Sequence, residues 1–287
     1  MMPDVAKPFL KWPGGKTRLI PQLEILFPEK FTRYVEPFTG GGAVFLHVSQ
    51  TRKIKASVLC DMNEDLILVW QILQTDPHEL CLELKKLIGV YHKLSPTEQQ
   101  RLYYELRAAH NVRPIPPDPV SRAARVIFLN KTCYNGLYRN NSKGEFNSPF
   151  GRYANPSVYN PENIEGVSRL LATTTLLQGD FTACERFVTK GTFVYFDPPY
   201  RPLNKTSSFT AFDKRGFTDA DQERLAMCFR RLDKKGARLM VSNSDTPDGY
   251  FERLYAGYNI RRVQAGRSIN SNPERRGKVS ELVITNY

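Results

Sequence analysis

The chain has 287 residues, 41% of them hydrophobic, which allows a real core in one large domain or one domain carrying an insertion. No run of 18 apolar residues and no signal-peptide pattern over residues 1–10 is present, so a membrane-spanning helix is excluded and a soluble cytoplasmic protein is expected. With 41 Lys and Arg against 29 Asp and Glu the net charge is +12, a footprint that suits a polyanionic partner such as nucleic acid.

At the amino terminus, Phe9-Leu10-Lys11-Trp12-Pro13-Gly14-Gly15-Lys16 reads as a loop with a stacking surface at Trp12 and a charge at Lys16. Arg33 to Phe38 reads as a short strand running into the turn Thr39-Gly40-Gly41-Gly42, and a helix starts near Ala43. A second strand, Ile54 to Cys60, ends at Asp61, and Asn63 is placed to cap a helix over Glu64 to Gln74. Such a strand–turn–helix–strand unit implies a parallel sheet. Glycines in the turn let the backbone bend sharply and approach a ligand, and ligands bind at the carboxyl ends of strands in open α/β sheets. An acid at Asp61, about twenty residues on, can take both hydroxyls of a ribose. The turn is not GxGxxG and is not followed by Lys-Ser/Thr, so neither a dinucleotide fingerprint nor a P-loop is present. A tight turn without a ligand would look the same.

From Asp76 to about Arg169 the pattern changes. Pro77 to Tyr91, Pro96 to Ala109 and Ser121 to Asn130 read as helices, separated by a proline-rich loop over Pro114 to Pro119. Tyr134 to Tyr153 is rich in Asn, Gly, Arg and aromatics, with Ser142-Lys143-Gly144 as a hairpin turn. This middle segment is the candidate substrate-reading insertion. The α/β pattern then returns. Strands are expected at Thr175 to Gln178, Phe193 to Phe196 and Arg238 to Ser242, with a helix over Asp219 to Lys235. Ile260 to Gln264 and Val279 to Thr285 close the chain as a pair of strands around a polar, basic segment.

The richest stretch is Asp197-Pro198-Pro199-Tyr200, which follows the apolar run Thr192 to Phe196. A strand does not continue easily through two prolines, each of which lacks a donor and fixes φ. A carboxylate, a carbonyl and an aromatic ring are therefore set at the open end of a strand. That combination suits an exocyclic amine on a flat ring: Asp197 and the Pro198 carbonyl accept its hydrogens and Tyr200 stacks on the ring. A strand end followed by a rigid turn is the plainer reading of the same four residues. Five cysteines without a CxxC and four histidines without ligand spacing give no disulfide framework and no metal site to expect.

Taken in order, FLKWPGGK, EPFTGGG, Asp61, YNGLYRNNSKGEFNSPFGRY, Asp180 and DPPY resemble the Dam family of DNA N6-adenine methyltransferases, over Pro8 to Tyr287. The similarity is strongest to its GATC-methylating members, and the motif order matches the alpha group of amino methyltransferases. The fold it implies is α/β: a Rossmann-like S-adenosylmethionine-dependent methyltransferase sheet with an inserted, mostly helical DNA-recognition domain. Residues 1–75 and 170–287 would form the catalytic domain, and 76–169, with the hairpin 134–153, the target-recognition insertion. By resemblance, Trp12, Lys16, Glu36, Pro37, Phe38, Gly40, Gly42, Asp61, Asp180, Phe181 and Asp197 contact S-adenosylmethionine. Asp197, Pro198, Pro199 and Tyr200 carry catalysis on a flipped adenine. By the same resemblance Lys11, Leu137, Arg139, Pro149 and Tyr153 fall at base-contacting positions and Asn135 near the gap left by the flipped base; a positively charged hairpin that touches only phosphate is the plainer reading of the residues alone. Arg267, Arg275, Arg276 and Lys278, in the carboxy-terminal loop, are expected to grip the DNA backbone, and a solvated charged loop with no contact is the alternative. The implied partner is double-stranded DNA bound by a monomer, with a cognate restriction endonuclease or a solitary life both open.

Two other readings stand beside this one. An amino methyltransferase for cytosine N4, RNA adenine or a glutamine side chain needs the same acceptor set; Asp rather than Asn at position 197 and the segment YNGLYRN…FGRY favour DNA. A DNA-binding relative without catalysis is the alternative of a different class.

Overall fold

The computed structural model describes residues 6–115, 117–202, 216–266 and 278–287. Its strands are β1 (Arg33–Glu36), β2 (Ala56–Asp61), β3 (Thr174–Gln178), β4 (Phe193–Phe196), β5 (Arg238–Ser244), β6 (Asn259–Gly266) and β7 (Lys278–Thr285). Its helices are α1 (Ile20–Glu24), α2 (Ala43–Thr51), α3 (Glu64–Thr75), α4 (Pro77–Tyr91), α5 (Pro96–His110), α6 (Pro119–Thr132), α7 (Pro161–Leu170), α8 (Asp219–Lys234) and α9 (Tyr250–Leu254). No described helix is long and apolar enough to cross a membrane. Two compact units divide the chain: Met1–Gly15, Gly40–Gln50 and Asn63–Gln178 form one, and Lys16–Thr39, Thr51–Met62 and Gly179–Tyr287 the other.

The second unit holds six of the strands, in the order β2-β1-β4-β5-β7-β6. β1 runs parallel to β2 and β4, and β4 parallel to β5, whereas β7 is antiparallel to both β5 and β6. The sequence of β4, Phe-Val-Tyr-Phe, is buried at every position, as a strand covered on both faces must be. Phe27, Phe31 and Tyr34 gather around Phe193 with ring centroids 4.8–5.6 Å apart. From β1 the chain moves outward to β2, and the later strands β4 and β5 lie on the opposite side of β1. The strand order thus reverses between β1 and β4. A crevice forms at the carboxyl ends of two such strands because the connections leave in opposite directions.

The first unit is largely helical and is wider than 76–169, since it takes in α2, α3 and β3. Asn63 caps α3 by accepting from Leu66 N at 2.9 Å, as its place in the sequence predicts. Ser95 and Glu98 form a capping box on α5. The proline-rich loop is shorter than its composition suggests. Pro119 opens α6 instead of extending the loop, because at the first helical position its missing N–H costs nothing, and Asp118 caps the turn. The 134–153 segment folds back at Asn141 to Gly144, where Gly144 N donates to Asn141 O at 2.9 Å. Its pairing is limited to the bridges Cys133↔Phe150 and Asn140↔Phe146, and a 3₁₀ turn at Tyr134–Gly136 opens it. Tyr91 donates to Tyr153 O at 2.6 Å and Tyr103 to Ser148 O at 2.8 Å, which ties the segment to α4 and α5.

Candidate active site

The reversal between β1 and β4 places Glu36 and Asp197 at the carboxyl edge of the sheet, with Asp61 at the end of the neighbouring β2. Two prolines stop β4 at this point, so Asp197 is directed out of the ladder. The Pro199 carbonyl accepts from Gln222 Nε2 at 3.2 Å, and Gln222 is held in turn by Asn243 Nδ2 at 3.0 Å. Among the described residues no donor reaches the Pro198 carbonyl. Arg201 anchors the end of the motif through Asp219 at 2.8 Å and Asp248 at 2.7 Å. The tetrapeptide is therefore fixed at its far end and keeps one acceptor available beside Asp197.

Asp197 lies 2.7 Å from Lys16 Nζ, whose side chain is 4% exposed. The same ammonium sits 4.7 Å from the Tyr200 ring centroid, a cation–π distance. Tyr200 donates its hydroxyl proton to Glu281 at 2.6 Å. Burial pushes the Asp197 carboxyl up to about 6, against the charge and hydrogen bond of Lys16, while Glu281 adds to the rise. Lys16, expected at the cofactor, is thus also the counter-ion of the candidate catalytic acid. Glu281 carries no signal in the sequence beyond membership of a closing strand, yet it orients the stacking ring. Glu281→Ala is expected to lower kcat about tenfold with the fold intact, since a charge-assisted hydrogen bond of roughly 1.5–3 kcal/mol that orients Tyr200 is lost. Single-turnover kinetics with a melting curve checks this; an unchanged kcat would remove Glu281 from the site.

Phe38 and Phe181 stack at 5.4 Å with an interplanar angle of 30°, and Phe217 meets Phe38 edge-on at 5.6 Å. Asp180 accepts from Thr182 N and Oγ1 at 3.1 and 2.6 Å and pairs with Arg224 at 3.1 Å. Although burial alone would raise it, hydrogen bonds from Thr182 and Arg224 hold the Asp180 carboxyl below its ordinary value. Glu36, next to the buried Pro37, is itself buried and accepts from Tyr34 Oη at 2.7 Å. This unit thus carries Glu36, Asp61, Asp180 and Asp197 at or just after strand ends and a stacked Phe38–Phe181 pair.

In the other unit, the glycine turn has a reason that the sequence does not reveal. A Cβ on Gly40 would lie 2.8 Å from Trp12 Cδ1, and one on Gly42 only 2.5 Å from Trp70 Cζ2, and both residues have positive φ. Trp70 Nε1 also donates to Gly40 O at 3.3 Å. Two tryptophans, not only a ligand, demand the bare backbone. Trp12 stacks at 5.3 Å on Tyr138, a residue of the 134–153 segment.

The same unit gathers the candidate base readers. Lys11 Nζ lies 5.0 Å from the Tyr153 ring centroid, and Tyr153 Oη accepts from Asn135 N at 3.1 Å. Asn135 is exposed with φ 56°, and Gly136 lets Lys11 pass where a Cβ would clash. Ser148 Oγ donates to Leu137 O, and Asn147 N to Arg139 O at 2.9 Å, which sets Leu137 and Arg139 across from Ser148 and Asn147, while Pro149 O accepts from Tyr134 N at 2.8 Å. Arg139 is exposed, with its Nε donating to Asn147 Oδ1 at 2.9 Å. Of the four basic residues expected on the DNA backbone, Arg267, Arg275 and Arg276 lie outside the described residues, and Lys278 begins β7. Among the described residues no group of three or more His, Cys, Asp or Glu could hold a metal ion.

Comparison with known proteins adds a family to this geometry. A family model described as D12 class N6 adenine-specific DNA methyltransferase matches residues 12–269. The chain is 46% identical to a type II methyltransferase, M.MjaIII, of Methanocaldococcus jannaschii, over 98% of this chain and 99% of that protein. It is 38% identical to the type II methyltransferase M1.LlaDCHI of Lactococcus lactis, over 98% and 95%. It is 35% identical to a DNA adenine methylase of Haemophilus influenzae, over 96% and 92%.

Proposed function

The chain belongs to the family of D12 class N6 adenine-specific DNA methyltransferases, enzymes that methylate adenine in DNA, and on that footing we propose that it moves the methyl group of S-adenosylmethionine to an adenine turned out of the duplex within GATC. The observation that carries this reading is Asp197, a largely buried carboxylate beside the open Pro198 carbonyl at the strand-order reversal. S-adenosylmethionine, when bound, supplies a methyl group activated by its sulfonium. The residues fit such a molecule: Asp61 and Glu36 offer acceptors for ribose hydroxyls and an ammonium, Phe38 and Phe181 a bed for a purine, and Asp180 an acceptor for its amine. Trp12, Gly40 and Gly42 are assigned to the same ligand by their place in the family pattern.

The chemistry follows from the acceptors. The N6 lone pair of adenine is delocalised into the ring and is a poor nucleophile. Hydrogen bonds from N6 to Asp197 and Pro198 O favour a tetrahedral nitrogen and aim its lone pair, so positioning is the main contribution. Tyr200 stacks on the base. A base inside the duplex is out of reach of a carboxylate on a sheet edge, so it must be extruded. Residues 76–169 are assigned to target reading and 1–75 with 170–287 to catalysis. The enzyme acts on double-stranded DNA in the cytoplasm as a monomer, and its identity to type II methyltransferases supports a cognate restriction endonuclease at the same site.

The test is expression in a host free of adenine methylation. Its genomic DNA should resist nucleases blocked by methyl-adenine in GATC and yield to those that require it. Full cleavage by the blocked kind together with resistance to the requiring kind would reject GATC.

Acid–base behaviour gives a second test. The carboxylate form of Asp197 accepts the N6 hydrogens, so kcat/KM is expected to fall as pH drops through about 6. The sign for stability is opposite. A carboxyl raised above its unfolded value binds a proton more tightly in the folded state, so its contribution to stability is present at low pH and is lost as pH rises towards about 6. Lys16→Met, which removes the cation opposing the rise, should move the acid limb of the profile to higher pH. A limb that stays in place would show that another group controls it.

A further inference from the structure

A cluster inside the helical unit lies apart from the residues assigned above. Asp65, in the first turn of α3, is buried and accepts four hydrogen bonds or ion-pair contacts. Arg122 Nε and Nη2 reach its Oδ1 at 3.0 and 2.6 Å. Tyr138 Oη donates to Oδ2 at 2.6 Å, and His110 Nε2 lies 3.1 Å from the same oxygen. Arg122 also donates to His110 O at 3.3 Å, so α3, α5 and α6 converge on one carboxylate. His110 Nδ1 is buried without a hydrogen-bond partner among the described residues, and its ring meets Phe146 edge-on at 6.1 Å.

The member of the cluster that points to function is Tyr138. It stands between Leu137 and Arg139, the two candidate readers on this arm of the hairpin. Alternation along an extended arm turns it inward, 3% exposed, while Arg139 faces out. The arm is also held by Ser148 Oγ on Leu137 O, by two hydrogen bonds between Asn147 and Arg139, by the Asn140↔Phe146 bridge, and by the Tyr138 ring against Trp12 and Phe146. Among these contacts the Tyr138 hydroxyl is the one made to a buried carboxylate on α3, and it contributes to how far Leu137 and Arg139 project from the helices. A charged acceptor makes that contact short and directional.

We propose that Asp65 and Tyr138 are positioning residues for sequence discrimination, the buried pair setting the register of the reading edge at Leu137 and Arg139. The inference rests on the assignment of those two residues to base readout. A displacement of the edge by a fraction of an ångström weakens a bidentate contact to a base while leaving looser phosphate contacts unaffected.

The experiment uses the full chain and two duplexes, the methylated sequence and one changed at the base pair that Arg139→Ala ceases to distinguish. The ratio of kcat/KM between them is measured for the wild type and for Tyr138→Phe. That variant keeps the ring on Trp12 and removes only the hydroxyl. Its ratio should fall about tenfold, through KM for the matched duplex, with S-adenosylmethionine affinity measured without DNA within about twofold of wild type. A merely structural contact would lower the melting temperature and depress both duplexes alike, leaving the ratio unchanged, and that result overturns the proposal. Because Asp65→Asn strands the Arg122 charge and can compromise folding, the tyrosine variant is the deciding one. A wild type whose ratio does not respond to Arg139→Ala would fail the readout assignment itself, and is seen before any Tyr138 variant is made.

Discussion

Asp197→Asn is expected to reduce methyl transfer by about 10³-fold or more, while duplex affinity stays within about threefold. The amide keeps the volume of the carboxylate and one accepting oxygen but loses the charge, and its second position becomes an N–H₂ donor. Beside the Pro198 carbonyl there is then only a neutral oxygen, a weaker acceptor for an amine whose lone pair must be freed from the ring. Duplex affinity rests on phosphate and groove contacts made elsewhere and has no reason to follow. The variant also removes the negative charge 2.7 Å from the buried Lys16 ammonium. Breaking a buried pair from one side costs about 3–5 kcal/mol, so a lower melting temperature accompanies the lost activity and could be mistaken for its cause. Lys16→Met combined with Asp197→Asn separates the two effects: stability should recover substantially and activity should not. Rapid-quench transfer of labelled methyl groups beside fluorescence binding of a duplex makes the measurement. Near-normal turnover by Asp197→Asn would sink the catalytic assignment.

Much of this site was legible in one dimension because its signals are local. Phe-Val-Tyr-Phe followed by two prolines is a buried strand with a forced end, whatever surrounds it. Asn63 before Glu64 and Pro at positions 77 and 96 announce helix starts through the chemistry of unpaired N–H groups. The residues that remained hidden act over distance. Tyr200 finds Glu281 from 81 positions away, and Tyr138 finds Asp65 from 73. No period or spacing encodes such pairs; Asp65 resembles an ordinary acid in the first turn of a helix until the tertiary fold surrounds it. The glycine turn shows a third case. Its positions were readable as turn glycines, but their strictness comes from Trp12 and Trp70, which only the packed structure brings within 2.8 and 2.5 Å of where a Cβ would stand. The five-residue helices α1 and α9 were invisible for a plainer reason: a single turn carries too few residues to show a period.

Arg139→Ala should produce the largest change in what the enzyme recognises. The guanidinium is exposed, and its Nε is tied to Asn147, so among the described residues the two terminal nitrogens are left to face outward in a fixed plane. That is the geometry required to donate to guanine O6 and N7 together in the major groove. A bidentate pair of this kind discriminates by about 1–3 kcal/mol, so kcat/KM on the matched duplex should fall by roughly 5–150-fold. On a duplex already changed at that base pair the loss should be slight, because the contact is absent there before the mutation. A phosphate contact gives a different pattern: equal weakening on both duplexes and a salt dependence of binding reduced by about one counter-ion. Two duplexes at two salt concentrations therefore decide the role. Arg139→Lys sharpens the decision, since an ammonium retains the charge for a phosphate but cannot reproduce the planar fork. Rescue by lysine would assign Arg139 to the backbone, and failure of rescue on the matched site alone would assign it to the base.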